Sequence, residues 1–395
     1  MKYNFDEFID RRGTDCFKWD AGMLLGQSGV TERFDEDTIS LFLADMDFPC
    51  PEPVLKALHD RVDQKMFGYT SHLTSPAYIE AVQGWFRRRY GWEISADSIV
   101  YSPGTVAAIN ALVRAFSKEG DGVIVQRPVY DPFMRVIESN GREVVSNSLI
   151  NDDGHYHIDF DDFEEKARDP HNTLFILCSP HNPVGRVWTP EELTRMAEIC
   201  IANDVVLVSD EVHGDIIRKN QTHYPINTLV EDERLIACTA INKTFNAAGL
   251  HCSNIILNDK EMRERFSAEL GMNRPTPFAI SALIAAYNEG EEWLAQVNAY
   301  IDGNLHFLDG FIREKMPKVA YRIPEGTYIG WLDFRGFGLT PEVVHRKIYI
   351  DANVVLEDGQ RFGPEGEGFQ RICVPSARSL LEEAMERIAA EFNGL

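Results

Sequence analysis

The sequence predicts an α/β protein: a large domain built on a mostly parallel sheet flanked by helices, followed by a smaller α+β domain. Three observations carry this. From residue 98 onward, short β-rich runs alternate with amphipathic stretches; the runs are apolar nearly throughout; and after about residue 285 the alternation stops. Strands without a polar face, separated by helices, belong to a sheet covered on both sides.

The strands are read in order as "SIVYS", "GVIVQ", "REVVS", "TLFILCS", "VVLVS" and "RLIACT". Beyond 285 come a long helical stretch, "EEWLAQVNAYIDGNLHFLDGFIREKM", then strands "TYIGWLDF" and "FQRICV" and a last helix, "SLLEEAMERIAAEF". No repeat, low-complexity segment or Gly/Ser linker marks the join. We therefore expect residues 46–285 to form the large domain, with 1–45 and 286–395 forming the N-terminal segment and small domain.

Composition bounds the function. The 395 residues are 44% hydrophobic and 26% charged, as in ordinary globular proteins. Lys and Arg number 39 against 62 Asp and Glu, and a net charge of -23 repels a phosphate backbone, so nucleic acid is not an expected partner. No apolar run reaches membrane-spanning length, and "MKYNFDEFIDRRGTDCFKWD" lacks the apolar core of a signal peptide, so no membrane association and a cytoplasmic location are expected. The 7 cysteines contain no C-x-x-C pair and read as scattered reduced thiols, not as a disulfide framework or zinc site.

Parallel sheets of this kind bind ligands at the carboxyl ends of their strands. The unusual residues of the chain cluster there: "SPGTVAAINALVRAF" follows the first strand, "RPVYDPF" the second, "SPHNPVG" follows "TLFILC", "DEVHGD" follows "VVLVS", and "INKTFN" follows "RLIACT". In "SPGTVAAIN", Gly104, Thr105 and Val106 open a helix whose free N–H groups and positive dipole end make a seat for a phosphate, or simply a capped start. Tyr130, between two prolines, has a ring that either lies against a flat ligand or packs in the core. Asn182 sits in a proline-punctuated turn; it is either turn chemistry or an uncharged donor to a phenolate-like oxygen.

Asp210 ends a strand apolar enough to be buried, where a carboxylate needs a positive partner. A protonated pyridine nitrogen would supply one. The alternatives are an acidic cap facing water or a metal site made with Glu211 and His213, for which no further ligand is evident. Lys243, just past "RLIACT", is either a solvated loop cation or an amine desolvated enough to lose its proton and attack a carbonyl. Arg378 precedes the last helix, where a cation opposes the helix dipole unless an anion is near, and its fork suits a carboxylate. The glycine-rich "GPEGEG" before it lacks the strand-then-helix context of a dinucleotide site.

Taken together and in order, Gly104-Thr105, Tyr130, Asn182-Pro183, Asp210, Lys243 and Arg378 resemble the fold-type I pyridoxal-phosphate enzymes over nearly the whole chain. The stretches "LADMDFPCPEPV", "FGYTS", "SPHNPVGRVWTPEEL", "SDEVHGD", "KTFNAAGL", "EGTYIGWLDF" and "FGPEGEGFQRI" are similar to the carbon–sulfur lyase branch of the class I/II aminotransferase family, the bacterial cystathionine β-lyases.

The resemblance implies pyridoxal 5'-phosphate as cofactor. It implies that Lys243 carries it covalently and then acts as the proton-transfer base, that Asp210 pairs with the ring nitrogen and Asn182 with the ring oxygen, and that Tyr130 stacks on the ring. Gly104, Thr105 and Val106 would hold the phosphate, His213 would lie at the cofactor, and Tyr69 of "FGYTS" would reach the phosphate from the second subunit of a homodimer. Arg378 would take the substrate α-carboxylate.

The implied reaction is α,β-elimination from cystathionine or a related L-cysteine conjugate, giving thiol, pyruvate and ammonia; the alternative is an aminotransferase on the same scaffold. The chain departs from the family pattern at Ile241-Asn242 before the lysine, at His251 where many aminotransferases carry an arginine, and at Cys373 with "VPSAR".

Overall fold

The computed structural model describes residues 2–394. Its centre is a seven-stranded sheet. In chain order the strands are β1 (Ile99–Ser102), β2 (Gly122–Val125), β3 (Glu143–Ser146), β4 (Asn172–Cys178), β5 (Val206–Asp210), β6 (Leu235–Ala240) and β7 (Ser253–Ile256). They lie side by side in the order β1-β7-β6-β5-β4-β2-β3. Pairs from β3 across to β6 are parallel, while β7 runs antiparallel to both β1 and β6.

The six expected strands are all present, and β7 is the one that sequence reading missed. Its four residues, with Asn254 among them, give neither an alternating pattern nor a long apolar run. What makes it a strand is pairing on both edges, a tertiary effect that outweighs local preference.

Both faces are covered, as the apolar strands require. Ile176, Leu207, Val208 and Ile236 are fully buried, each contributing about 1.5–3 kcal/mol relative to exposure. Helix α1 (Thr105–Phe116) packs against one face and α2 (Pro190–Ala202) against the other. The start of α2 is fixed by a capping box, with the Thr189 side chain accepting from Glu192 N–H and the Glu192 carboxylate accepting from Thr189 N–H, and by Pro190 in the first turn.

Beyond α3 (Pro277–Glu289) the long helix α4 (Glu291–Lys315) leads to a three-stranded antiparallel sheet of β8 (Ile329–Asp333), β9 (Glu357–Asp358) and β10 (Phe369–Cys373), with β10 central, and to α5 (Arg378–Phe392). A short parallel pairing of residues 39–40 with 354–355 joins the N-terminal segment to this part. Among the described residues no helix is long and apolar enough to cross a membrane.

Candidate active site

The carboxyl ends of β1, β2, β4, β5 and β6 converge on a cavity of about 170 Å³. Gly104, Thr105, Val106, Tyr130, Asn182, Asp210, His213 and Lys243 all line it, together with Ala44 and His251. Eight of the ten residues singled out in the sequence therefore share one small space.

Asp210 is 3% exposed, yet among the described residues its carboxylate accepts a hydrogen bond only from the Val212 backbone N–H, at 3.4 Å. Burial pushes its pKa up to about 7, against a small downward pull from that N–H and from Lys243. Glu211, next in the chain, turns away to accept from Ile226 N–H at 3.0 Å and to face His223 at 3.3 Å. The three acidic and imidazole side chains of "DEVHG" therefore do not converge. His213 is buried, Nδ1 has no hydrogen-bond partner among the described residues, and burial depresses the ring to about 3, so it is neutral.

Lys243 follows β6 on a single helical turn (Ile241–Thr244). Its Nζ donates to the carbonyl of Ala44, which also accepts from the Tyr328 hydroxyl at 2.9 Å. Burial lowers the lysine pKa below its usual value, with Asp45 opposing the shift. The amine is therefore biased toward its nucleophilic form.

At the other end of the cavity, Gly104 is the N-cap of α1 and no side chain caps that helix, so the backbone amides of its first turn are available to an anion. Tyr130 precedes the helix Asp131–Ser139, and burial raises its phenol to about 12. Asn182 accepts through Oδ1 from Arg371 Nη1 at 3.1 Å, which leaves its amide N–H groups for another acceptor. His251 sits at the mouth with Nδ1 3.2 Å from the Pro103 carbonyl.

Two expected residues lie elsewhere. Tyr69 is 97% exposed and does not reach the cavity of its own chain. Arg378 is drawn away from it: Nε donates to Asn304 Oδ1 at 2.7 Å, and the guanidinium sits over the Phe307 ring at 4.9 Å.

Arg371, which sequence reasoning passed over, is 2% exposed on β10, bonded to Asn182 and ion-paired with Glu357 directly opposite on β9. Its Nε has no hydrogen-bond partner among the described residues. The signal was present: an arginine inside the apolar run "FQRICV" poses the same buried-charge question as Asp210.

Residues 36–388 match the family profile for class I and II aminotransferases. The chain belongs to that family. It is 41% identical over 393 residues to cystathionine beta-lyase PatB of Bacillus subtilis, covering 98% of this chain and 99% of that one. Among solved structures it is similar to cystalysin from Treponema denticola, which contains a pyridoxal 5'-phosphate cofactor, with TM-score 0.94, 33% identity and 99% of each chain covered. It is also similar to the pyridoxal-phosphate-bound C–S lyase from Staphylococcus hominis, with TM-score 0.91, 34% identity and all of both chains covered. The fold expectation is thereby met: this is the fold-type I architecture of those enzymes.

Proposed function

We propose that this protein is a pyridoxal-phosphate-dependent carbon–sulfur β-lyase acting on cystathionine or related L-cysteine conjugates. The observation that carries the reading is the pair Asp210 and Lys243 in one cavity: a buried carboxylate with a single long hydrogen bond, facing a lysine whose proton is loosened by burial.

The residues fit the cofactor. Asp210 lacks a cationic N–H partner, which a pyridinium nitrogen supplies; the uncapped start of α1 suits a phosphate; Asn182 retains N–H groups for a ring oxygen, and the Tyr130 ring lines the space between. Bound pyridoxal phosphate supplies an aldehyde conjugated to a ring that accepts electrons, and a carboxylate at the ring nitrogen keeps that capacity.

On this reading Lys243 would hold the cofactor and, once freed by the substrate, would take the Cα proton. The electron pair from Cα–H becomes a Cα=Cβ bond, the Cβ–S bond breaks, and its pair leaves on the thiolate, which picks up a proton. One water then converts the unsaturated amino acid to pyruvate and ammonia. Arg371 is the residue we assign to the substrate α-carboxylate in place of Arg378, since it lies against Asn182 with Nε open. His213, a neutral member of the cavity lining, would stand beside the cofactor.

One further feature supports a homodimer with shared sites. Tyr69 stands with Met66, Phe67 and Leu73 among the exposed large apolar side chains, a surface suited to a second copy from which Tyr69 of the partner subunit would reach the phosphate. For location we infer the cytoplasm, a reading with which the seven free cysteines agree. We divide the chain at 46–285 for the cofactor domain.

Reconstitution with pyridoxal phosphate tests the cofactor assignment. The protein should become yellow, and borohydride should fix the cofactor to the peptide containing Lys243; a colourless protein, or label on another lysine, contradicts it.

A further inference from the structure

Lys243 and the loop of residues 44–48 are fastened together from two sides. Asn246, on the turn that follows the lysine, accepts from Met46 N–H at 3.3 Å and donates to the carbonyls of Met46 and Phe48 at 3.0 and 2.7 Å. From the N-terminal segment, Lys18, Trp19 and Arg11 donate to the Asp47 carboxylate at 2.7, 2.9 and 3.1 Å. Ahead of these anchors Leu43 has φ +61° and its carbonyl accepts from Asp45 N–H at 2.8 Å, a tight turn centred on Ala44. That turn presents the Ala44 carbonyl to the Lys243 amine.

Asp45 stands beside this contact with a carboxylate that the anchoring does not need, since Asp47 already ties the loop to the N-terminal segment. Among the described residues the Asp45 carboxylate accepts only from Arg11, whose Nη1 lies 2.7 Å from Oδ2. Burial is the largest influence on the Lys243 amine and loosens its proton; of the charges around it, Asp45 is the strongest and opposes that effect. The other groups facing the amine do not serve as its anion. Burial raises the Cys373 thiol and the Tyr130 and Tyr328 phenols, so all three are uncharged near neutral pH, and His213 is neutral. Arg371 is a cation and works against an ammonium, while Asp210 is the partner of a pyridinium nitrogen on the reading above. Asp45 is then the anion left to Lys243.

We propose that Asp45 is a positioning residue for Lys243: it supplies the counter-charge for the ammonium that forms when the lysine takes the Cα proton, and Arg11 moderates it. The proposal rests on the reading of Lys243 as the proton-taking amine and deepens it. In that step Cα–H breaks, Nζ–H forms, and the electron pair of the broken bond stays on the carbon side for the loss of thiolate. An ammonium in a buried site is costly without an opposite charge, and Asp45 offsets part of that cost. Arg11 belongs to the N-terminal segment, so the seating of that segment sets how firmly the base holds its proton.

The test needs neither cofactor nor turnover. In the cofactor-free protein, trace acetylation by acetic anhydride over a range of pH follows the neutral amine of Lys243, read by mass spectrometry on its peptide and normalised to the exposed Lys260. Asp45→Asn keeps the shape and an acceptor for Arg11 but removes the charge. Its labelling curve should move to lower pH, with Lys243 labelling near neutral pH raised by about threefold or more. Arg11→Gln leaves Asp47 held by Lys18 and Trp19, and should move the curve to higher pH. A loosened loop would admit water and move the Asp45→Asn curve upward, the opposite of the expected direction. An unchanged or upward curve in Asp45→Asn, or an unchanged or downward one in Arg11→Gln, overturns the proposal. If the curves move as expected while the reconstituted enzyme yields no pyruvate from any cysteine conjugate, the lyase reading falls and the counter-charge stands.

Discussion

Arg371 Nη1 donates to Asn182 Oδ1 at 3.1 Å, a contact between the central strand of the small sheet and the turn after β4. It places a buried, permanently charged fork beside a residue of the cavity that Asp210 and Lys243 line. Replacing Arg371 by Lys keeps the charge and removes the two-pronged geometry. We expect kcat/KM for a cysteine conjugate to drop by about 10²-fold, or ~3 kcal/mol, mainly through KM. Arg378→Ala should change KM by less than about twofold, since Arg378 is occupied with Asn304. Steady-state kinetics of the two variants decide which arginine takes the carboxylate.

Asp210 makes a prediction about the cofactor-free protein as well as the enzyme. Its folded pKa of about 7 lies above the ordinary carboxylate value, so the folded state binds more protons than the unfolded state between about pH 4 and 7. Its contribution therefore falls as pH rises through that window, and near pH 8 the ionised group is a net cost on the order of 2–4 kcal/mol. Cofactor-free Asp210→Asn should melt above wild type at pH 8, with the gap closing toward pH 4. Equal melting temperatures across the range contradict the buried, unpaired carboxylate.

With cofactor bound the same residue becomes an asset. Asp210→Ala should lower turnover by several orders of magnitude, comparable to about 4 kcal/mol or more of transition-state stabilisation. Near-normal turnover in that variant would remove the role assigned to it.

Tyr69 tests the shared site. Inactive Tyr69→Ala and Lys243→Ala chains, mixed and allowed to exchange, should regain activity, because one site of each mixed dimer then has both residues. Mixed dimers that form and stay inactive would show that Tyr69 does not act across the interface.

Much of this was legible before any coordinates. Strands buried on both faces leave an unbroken apolar signature, so β4, β5 and β6 could be read directly, and polar residues at their carboxyl ends then fall on one rim by topology alone. The misses have a common physical cause. β7 exists through its neighbours, and its four residues are too few for periodicity. Arg378 drew attention because a helix start is a visible local context, whereas the burial of Arg371 depends on Glu357 and Asn182, remote in sequence but adjacent in space.

The central claim is elimination without a second substrate. An aminotransferase shares the first steps, with the substrate amine displacing Lys243 and the freed lysine taking the Cα proton, but it then needs a keto acid to restore its aldehyde. The deciding measurement is pyruvate released per active site from a cysteine conjugate, with no keto acid present. The lyase reading predicts continuous release over many turnovers; a single turnover that resumes only when a keto acid is added would contradict it.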